Sequence, residues 1–290
     1  MGADRTAVDF RSFSPRELAD VVGVSESSVK RWVDAGRIGV GRTVGGHRRI
    51  PLRDAVRFIR SNGLRVDRAD LFGFGAVLRP FGSEPEWSVE AVLEAADRPG
   101  GVRSLLLQAY LDGAAPAELF DGVMARAMDR FGSPCEFDPD AVHLEHRFTQ
   151  AALEAVSQCR MLQPVPTPGA PGSIGGSPER DPYLLPGLMA STVLAEEGYS
   201  DVYLGAFVPV TALERAAEST GARLVWLSAT SPLTHSEMAE WAAATTRMLD
   251  AGQHVCVGGR AAVGRAAEWP DRVRVLSSMA LLAKISRTLA

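Results

Sequence analysis

From residue 172 onward the chain alternates short apolar runs with helical stretches, and this alternation restricts the fold more than any other feature. A weak strand near residues 172–175 leads through "GSPERDPYLLPG" into the helical "LMASTVLAEEGY". "DVYLGAFV" is followed by "TALERAAEST", and "RLVWLSAT" by "SEMAEWAAATTRMLDAG". "HVCVGG" precedes "RAAEW", and "RVRVLSS" precedes a last helix. Five strands separated by helices require crossover connections, which predict a parallel, doubly wound sheet. Ligands of such sheets sit beyond the carboxyl ends of the strands, where this chain places Ser228, Thr230, Gly258 and Gly259. The glycine pair equally suits the close approach of any strand-to-helix turn, Trp226 reads as core, and His254 reads as an ordinary residue at a strand start.

Ahead of this region "QPVPTPGAPG" marks a linker, and before it come four helical patterns. "EWSVEAVLEAAD" stops at Pro99-Gly100-Gly101, and "VRSLLLQAYLDG" stops at Gly113. "PAELFDGVMARAMDRFG" opens on a proline, and "DPDAVHLEHRFTQAALEAVSQCRML" is the longest. Short connections make antiparallel neighbours, so residues 80–164 are expected to form a four-helix bundle. His143 and Glu145 are two apart and face different sides of a helix; only His143 and His146 have a ligand-like spacing, and no metal site is expected from that pair alone.

The charge is unevenly spread. The net charge is −4, yet residues 1–66 hold 13 Lys/Arg against 7 Asp/Glu, leaving the remainder at −10. A basic head on an acidic body implies an anionic partner for the head. Ser14, Pro15 and Glu17 spell an N-cap, a first-turn proline and a capping-box acid, with Leu18, Val21 and Val22 as the apolar face. After Gly23, Ser25 caps a second helix that buries Val29, Trp32 and Val33 and ends at Gly36. Two short helices joined by a tight turn make a helix-turn-helix whose second helix suits a major groove. On its outer side are Ser27, Ser28, Lys30 and Arg31, side chains suited to phosphates and base edges. "RIGVGRTV" and "HRRIP" flank Gly45-Gly46, which predicts a hairpin wing loaded with Arg42, His47, Arg48 and Arg49 as phosphate ligands. "LRDAVRFIRSN" then returns to helical periodicity. Residues 66–86 read as a linker.

The stretch "FSPRELADVVGVSESSVKRWVDAGRI…GGHRRI" resembles the winged helix-turn-helix of MerR-type and excisionase-type DNA-binding domains over residues 12–62. Helix-turn-helix, bundle and Rossmann-like region in this order resemble the light-responsive, cobalamin-dependent repressors of the MerR group. That resemblance implies recognition of a double-stranded operator by a homo-oligomer, and a corrin held between bundle and sheet. It assigns cofactor roles to Asp181, Ser228 with Thr230, Gly258 and Gly259, and to the pair Glu145-His146 over the upper face of cobalt. The chain departs from the pattern at three places. The lower-ligand histidine is Tyr183, the motif's last glycine is Pro186, and the tryptophan ahead of the Glu-His pair is Cys135. A phenol with pKa near ~10 is a poor cobalt ligand at neutral pH, so histidine-ligated cobalamin is not expected. Three outcomes stay open: no ligand, with these regions kept for assembly; cobalamin without histidine; or another tetrapyrrole or small metabolite.

Three scattered cysteines, Cys135, Cys159 and Cys256, suit reduced thiols. No apolar run approaches ~18 residues and the N-terminus lacks a signal-peptide core, so a cytoplasmic protein is expected. The expected architecture is multidomain α and α/β: a winged helix-turn-helix over 1–66, a four-helix bundle over 80–164 and a Rossmann-like, flavodoxin-type five-stranded parallel sheet over 172–290. The expected function is a DNA-binding transcription regulator without catalysis, sensing a ligand or mediating assembly. The alternative is a cobalamin-dependent methyl-transfer or mutase component, which shares the bundle-plus-sheet pair.

Overall fold

A computed structural model describes residues 12–43, 45–66, 88–132 and 139–289, with side chains left out of account at 131, 132 and 139–141. Cys135 and nearly all of the expected 66–86 linker lie outside the described residues. The chain divides into two compact units, Met1–Glu86 with Leu107–Ala114 and Trp87–Leu106 with Ala115–Ala290. Most of the helices expected as a bundle share the second unit with the sheet, and the boundary runs through a helix.

The first unit opens with β1 (Ser12–Phe13), α1 (Pro15–Val21) and α2 (Glu26–Asp34). Both helix starts follow their capping signals. The Glu17 amide donates to Ser14 Oγ at 3.2 Å and the Ser14 amide to Glu17 Oε2 at 2.6 Å, while Ser25 Oγ accepts from the Ser28 amide. Gly23, with φ of 64°, reverses the chain between the helices. β2 (Gly41–Arg42) and β3 (Arg48–Pro51) form the wing, with Gly41 opposite Arg49 and Arg42 opposite Arg48. Of the two turn glycines only Gly46 takes a positive φ, 78°. β3 also pairs with β1, and α3 (Leu52–Ser61) follows directly. Phe13, Leu18, Val29, Ile50, Val56 and Ile59 form the buried centre, while Trp32 is half-buried and packs on Phe58 at 4.9 Å between centroids. The end of α5 (Gly101–Leu111) belongs to this unit, where the Arg60 guanidinium lies 3.6 Å from the Tyr110 ring centroid and donates to the Ala114 carbonyl.

The second unit begins with the bundle. α4 (Val89–Ala96) and the start of α5 precede one continuous helical run, made of α6 (Pro116–Leu119), a π-helical turn (Phe120–Met124) and α7 (Ala125–Gly132). α8 (Pro139–Met161) is the longest helix. The sheet comprises β4 (Gly172–Gly176), β5 (Ser200–Tyr203), β6 (Leu224–Ser228), β7 (His254–Gly258) and β8 (Arg274–Leu276). All its pairings are parallel, in the order β5-β4-β6-β7-β8, the doubly wound arrangement that the alternation predicts. The run "DVYLGAFV" is strand only at its start, because Gly205 and Phe207 both adopt positive φ and turn the chain.

Alternation along β6 decides which face each side chain serves. Val225 and Leu227 join α10 (Val210–Thr220), α11 (His235–Asp250) and α12 (Arg260–Gly264) in one core. Trp226 points to the opposite side, where α9 (Leu184–Glu196) and α13 (Met279–Leu289) pack together. A Cβ at Gly175 would stand 2.2 Å from the indole and from the Trp226 carbonyl, so β4 carries glycine where the indole crosses it. The indole Nε1 donates to Asp201 at 2.9 Å and the ring stacks on Tyr203. The Asp201 carboxylate is fully buried, accepting from Ser173 and Ser191 hydroxyls, with Arg160 of α8 at 3.6 Å. Arg160 also donates to the Ser191 carbonyl, which ties α8 to α9.

Candidate functional site

Among the described residues, two places gather chemistry. In the first unit α2 presents Ser27, Lys30 and Arg31 exposed, with Ser28 half-buried among them. Ser25 Oγ lies 2.9 Å from both the Ser27 and Ser28 hydroxyls, and Arg31 reaches Ser28 Oγ at 3.4 Å. Lys30 pairs with Glu26 one turn back at 2.8 Å. At the wing Arg42 and His47 are exposed; Arg42 reaches back to the Gly46 carbonyl, and the Thr43 hydroxyl accepts from the His47 amide. Arg48 and Arg49, expected as phosphate ligands, each stand beside a carboxylate. Arg48 lies 2.6 Å from Asp34 at the end of α2, and Arg49 lies 3.2 Å from Glu17 of α1. Sequence spacing could not show these pairs, since the partners are 14 and 32 residues apart.

The second place is a cavity of about 190 Å³ at the carboxyl ends of β6, β7 and β8. Ser228, Gly258 and Gly259 line it, as do Trp226 and Cys256 below and Ser277 and Ser278 after β8. Pro186 and Ala190 of α9 and Leu282 of α13 form a wall, and Asp121 reaches in from the π-helical turn. Asp121 accepts from the Met279 and Ala280 amides at 2.7 Å each, satisfying two of the open donors at the start of α13. Burial pushes the Cys256 thiol up to about 12, so it stays protonated. Asp121 and the Ser277-Ser278 pair were not singled out in the sequence; two serines between a strand and a helix are the one local signal that could have found the latter.

Of the expected cofactor residues, Ser228, Gly258 and Gly259 meet at the cavity. Asp181, Tyr183 and Thr230 form a separate arrangement beside it. The Asp181 carboxylate is buried, and its Oδ1 accepts from the Tyr183 amide at 3.0 Å. Its Oδ2 accepts from the Thr230 and Ser231 amides at 2.5 and 2.9 Å. Asp181 thus clamps the loop after β4 to the loop after β6, and its acceptors are directed at backbone instead of at a side-chain ring. Tyr183 is the N-cap position of α9, with its side chain half exposed. Glu145 and His146 stand on α8 and are not among the cavity's lining residues. His146 Nδ1 lies 2.8 Å from the Val142 carbonyl and 3.0 Å from Glu145, which also accepts from Thr149.

These residues do not fit a histidine-ligated cobalamin. Tyr183 offers a phenol, and the carboxylate that would orient an imidazole already accepts three backbone N–H bonds. Among the described residues no group of three or more His, Cys, Asp or Glu side chains could hold a metal ion. Nor is any described helix long and apolar enough to cross a membrane.

Residues 12–63 match the family model of a helix-turn-helix domain. No curated protein matches the chain. Among solved structures, the monomethylamine corrinoid protein of Methanosarcina barkeri is similar at 16% identity and a TM-score of 0.52, over 70% of this chain and 96% of that one. A cobalamin-binding protein from Desulfitobacterium hafniense DCB-2 is 18% identical with a TM-score of 0.36, over 70% and 98% of the two chains. The methanol:cobalamin methyltransferase complex MtaBC of Methanosarcina barkeri is 18% identical with a TM-score of 0.37, over 76% and 88%. At such identities the first likeness is one of fold: helices followed by a doubly wound parallel sheet. The helix-turn-helix match and the sheet topology together make the chain a mixed α and α/β protein with a DNA-binding type of module at one end.

Proposed function

We propose that the chain is a DNA-binding transcription regulator of the MerR kind, without catalysis, whose second unit senses a small ligand or mediates assembly. One observation carries the reading: α2 presents a hydroxyl-and-cation face beside a cationic wing, within a segment matching a helix-turn-helix model. In that arrangement α2 enters the major groove, Arg31 reads base edges, and Lys30, Arg42 and His47 hold phosphates. A single such module makes few contacts, so a homo-oligomer engaging two half-sites is the working form. Such a regulator acts inside the cell.

For the second unit the reading is a divergent sensor. The cavity beneath Ser228, Gly258 and Gly259 admits a small group, and any cobalamin or other tetrapyrrole would rest against this end of the sheet without a histidine ligand. The corrinoid-protein fold is shared with components of methyl transfer, which keeps the enzymatic alternative in view, but the DNA-binding module favours regulation. The test is titration of the full chain with duplex DNA over a range of salt. A linear fall of log K with log salt is expected, with a slope of about −0.9 per phosphate contact. Absence of binding at low salt would overturn the DNA reading, and the visible spectrum of protein purified from its own host would report a bound tetrapyrrole.

A further inference from the structure

The wing carries a charge problem that its register makes explicit. Arg42 and Arg48 are directly opposite each other across the β2–β3 pair, and Arg49 is next to Arg48. Like charges facing one another across an antiparallel pair are destabilising. The pair is only two residues long on the β2 side, so few ladder bonds oppose that repulsion. Two carboxylates from the helices meet the excess charge. Asp34, the last residue of α2, stands 2.6 Å from Arg48, and Glu17 of α1 stands 3.2 Å from Arg49. Glu17 is fixed by its own capping bond to the Ser14 amide, and Ile50, between the two attachment points and Pro51, is fully buried.

We propose that Asp34 and Glu17 are wing-positioning residues, and that Arg48 and Arg49 act as struts against them and not as phosphate ligands. The part of this that concerns DNA rests on the DNA-binding reading above. Phosphate contact by the wing then falls to Arg42, which has no carboxylate within ion-pair distance among the described residues, and to His47. Asp34 does a second thing: it fixes the wing to the end of the very helix that enters the groove, so helix and wing move as one body.

The strut and phosphate-ligand roles predict opposite signs. If Arg48 were a phosphate ligand, Asp34 would compete with DNA for it, and Asp34→Asn would tighten binding. As a strut, Arg48 loses its anchor in Asp34→Asn, and binding weakens. The full chain is titrated with a short mixed-sequence duplex over a range of salt. Asp34→Asn, Glu17→Gln (which keeps the capping box, since glutamine serves there) and Arg48→Gln should each weaken binding several-fold. Their salt slopes should stay within a few tenths of the parent's, whereas Arg42→Gln should make the slope shallower by about 0.9. Tighter binding by Asp34→Asn, or a slope loss near 0.9 in Arg48→Gln, would overturn the proposal. A DNA-free arm separates its failure from that of the DNA reading. Trypsin cleavage after Arg42 in the native chain should accelerate several-fold in Asp34→Asn and Glu17→Gln. An unchanged rate overturns the struts even if DNA binds, and an accelerated rate supports them even if it does not.

Discussion

Replacing Asp181 should unfold the second unit at markedly lower temperature, even with no ligand present. The side chain is 1% exposed and accepts three backbone N–H bonds from two loops. Hydrogen bonds to a charged group contribute about 1.5–3 kcal/mol each, so the ceiling for Asp181→Ala is roughly 4.5–9 kcal/mol. The real loss is smaller because the loops can relax toward water: Tyr183 is half exposed, and Thr230 and Ser231 are only partly buried. A loss of about 3 kcal/mol follows from discounting the ceiling in this way. For a unit of about 150–250 residues, at ~2–4 °C per kcal/mol, that lowers the midpoint by about 6–12 °C. Asp181→Asn retains one acceptor oxygen and turns an amide toward N–H donors, so it should lose about half as much. Differential scanning calorimetry of the ligand-free chain measures both. A fall below ~2 °C in Asp181→Ala would mean the carboxylate does no clamping in this fold, and the reasoning would be refuted.

Other outcomes follow from the same geometry. Tyr183→His should leave the spectrum of added hydroxocobalamin without histidine-ligated features, because Asp181 already holds three backbone N–H groups and is not set to orient an imidazole; their appearance would refute that expectation. Gly175→Ala should destabilise the second unit by ~3 kcal/mol or more in a denaturant titration, since its Cβ would stand 2.2 Å from the Trp226 carbonyl. Cys256 should resist alkylation by iodoacetamide at mildly alkaline pH, because burial pushes its pKa up to about 12; rapid labelling of the native chain would contradict that. Burial raises the Asp201 pKa against the pull of Ser173, Ser191, Trp226 and Arg160. The native state therefore holds that proton more tightly than the unfolded chain. Its contribution should fall as pH rises from the ordinary carboxylate range through the raised native value, then level off. Midpoints of the parent and Asp201→Asn across acidic pH test the sign.

Much of the fold was legible because its signals are local. Ser14-Pro15-Glu17 and Ser25 start helices through hydrogen bonds that span only three residues, and those bonds are formed. The four bundle patterns and the strand–helix alternation likewise reflect burial of one face at a fixed period. Where the local pattern failed, the backbone intervened: the apolar run after Asp201 looks like a long strand, yet Gly205 and Phe207 turn it. The π-helical turn that brings Asp121 to the start of α13 left no signal in the periodicity of "PAELFDGVMARAMDRFG".

The sequence by itself determined the elements, their order and the concentration of cations at one end, since these depend on neighbours within a turn or two. Only the tertiary structure decided which partners the polar side chains meet. Arg48 and Arg49 read as phosphate ligands in the sequence, and only the fold places Asp34 and Glu17 beside them. Asp181 resembles a ligand-orienting carboxylate in the sequence, and only the fold brings the amides of Thr230 and Ser231, some fifty residues on, to its oxygens. Apolar periodicity reports whether a side chain is buried, which one element can settle alone. The role of a charge depends on which opposite charge or open donor the fold brings within about 3 Å, and that partner comes from elsewhere in the chain.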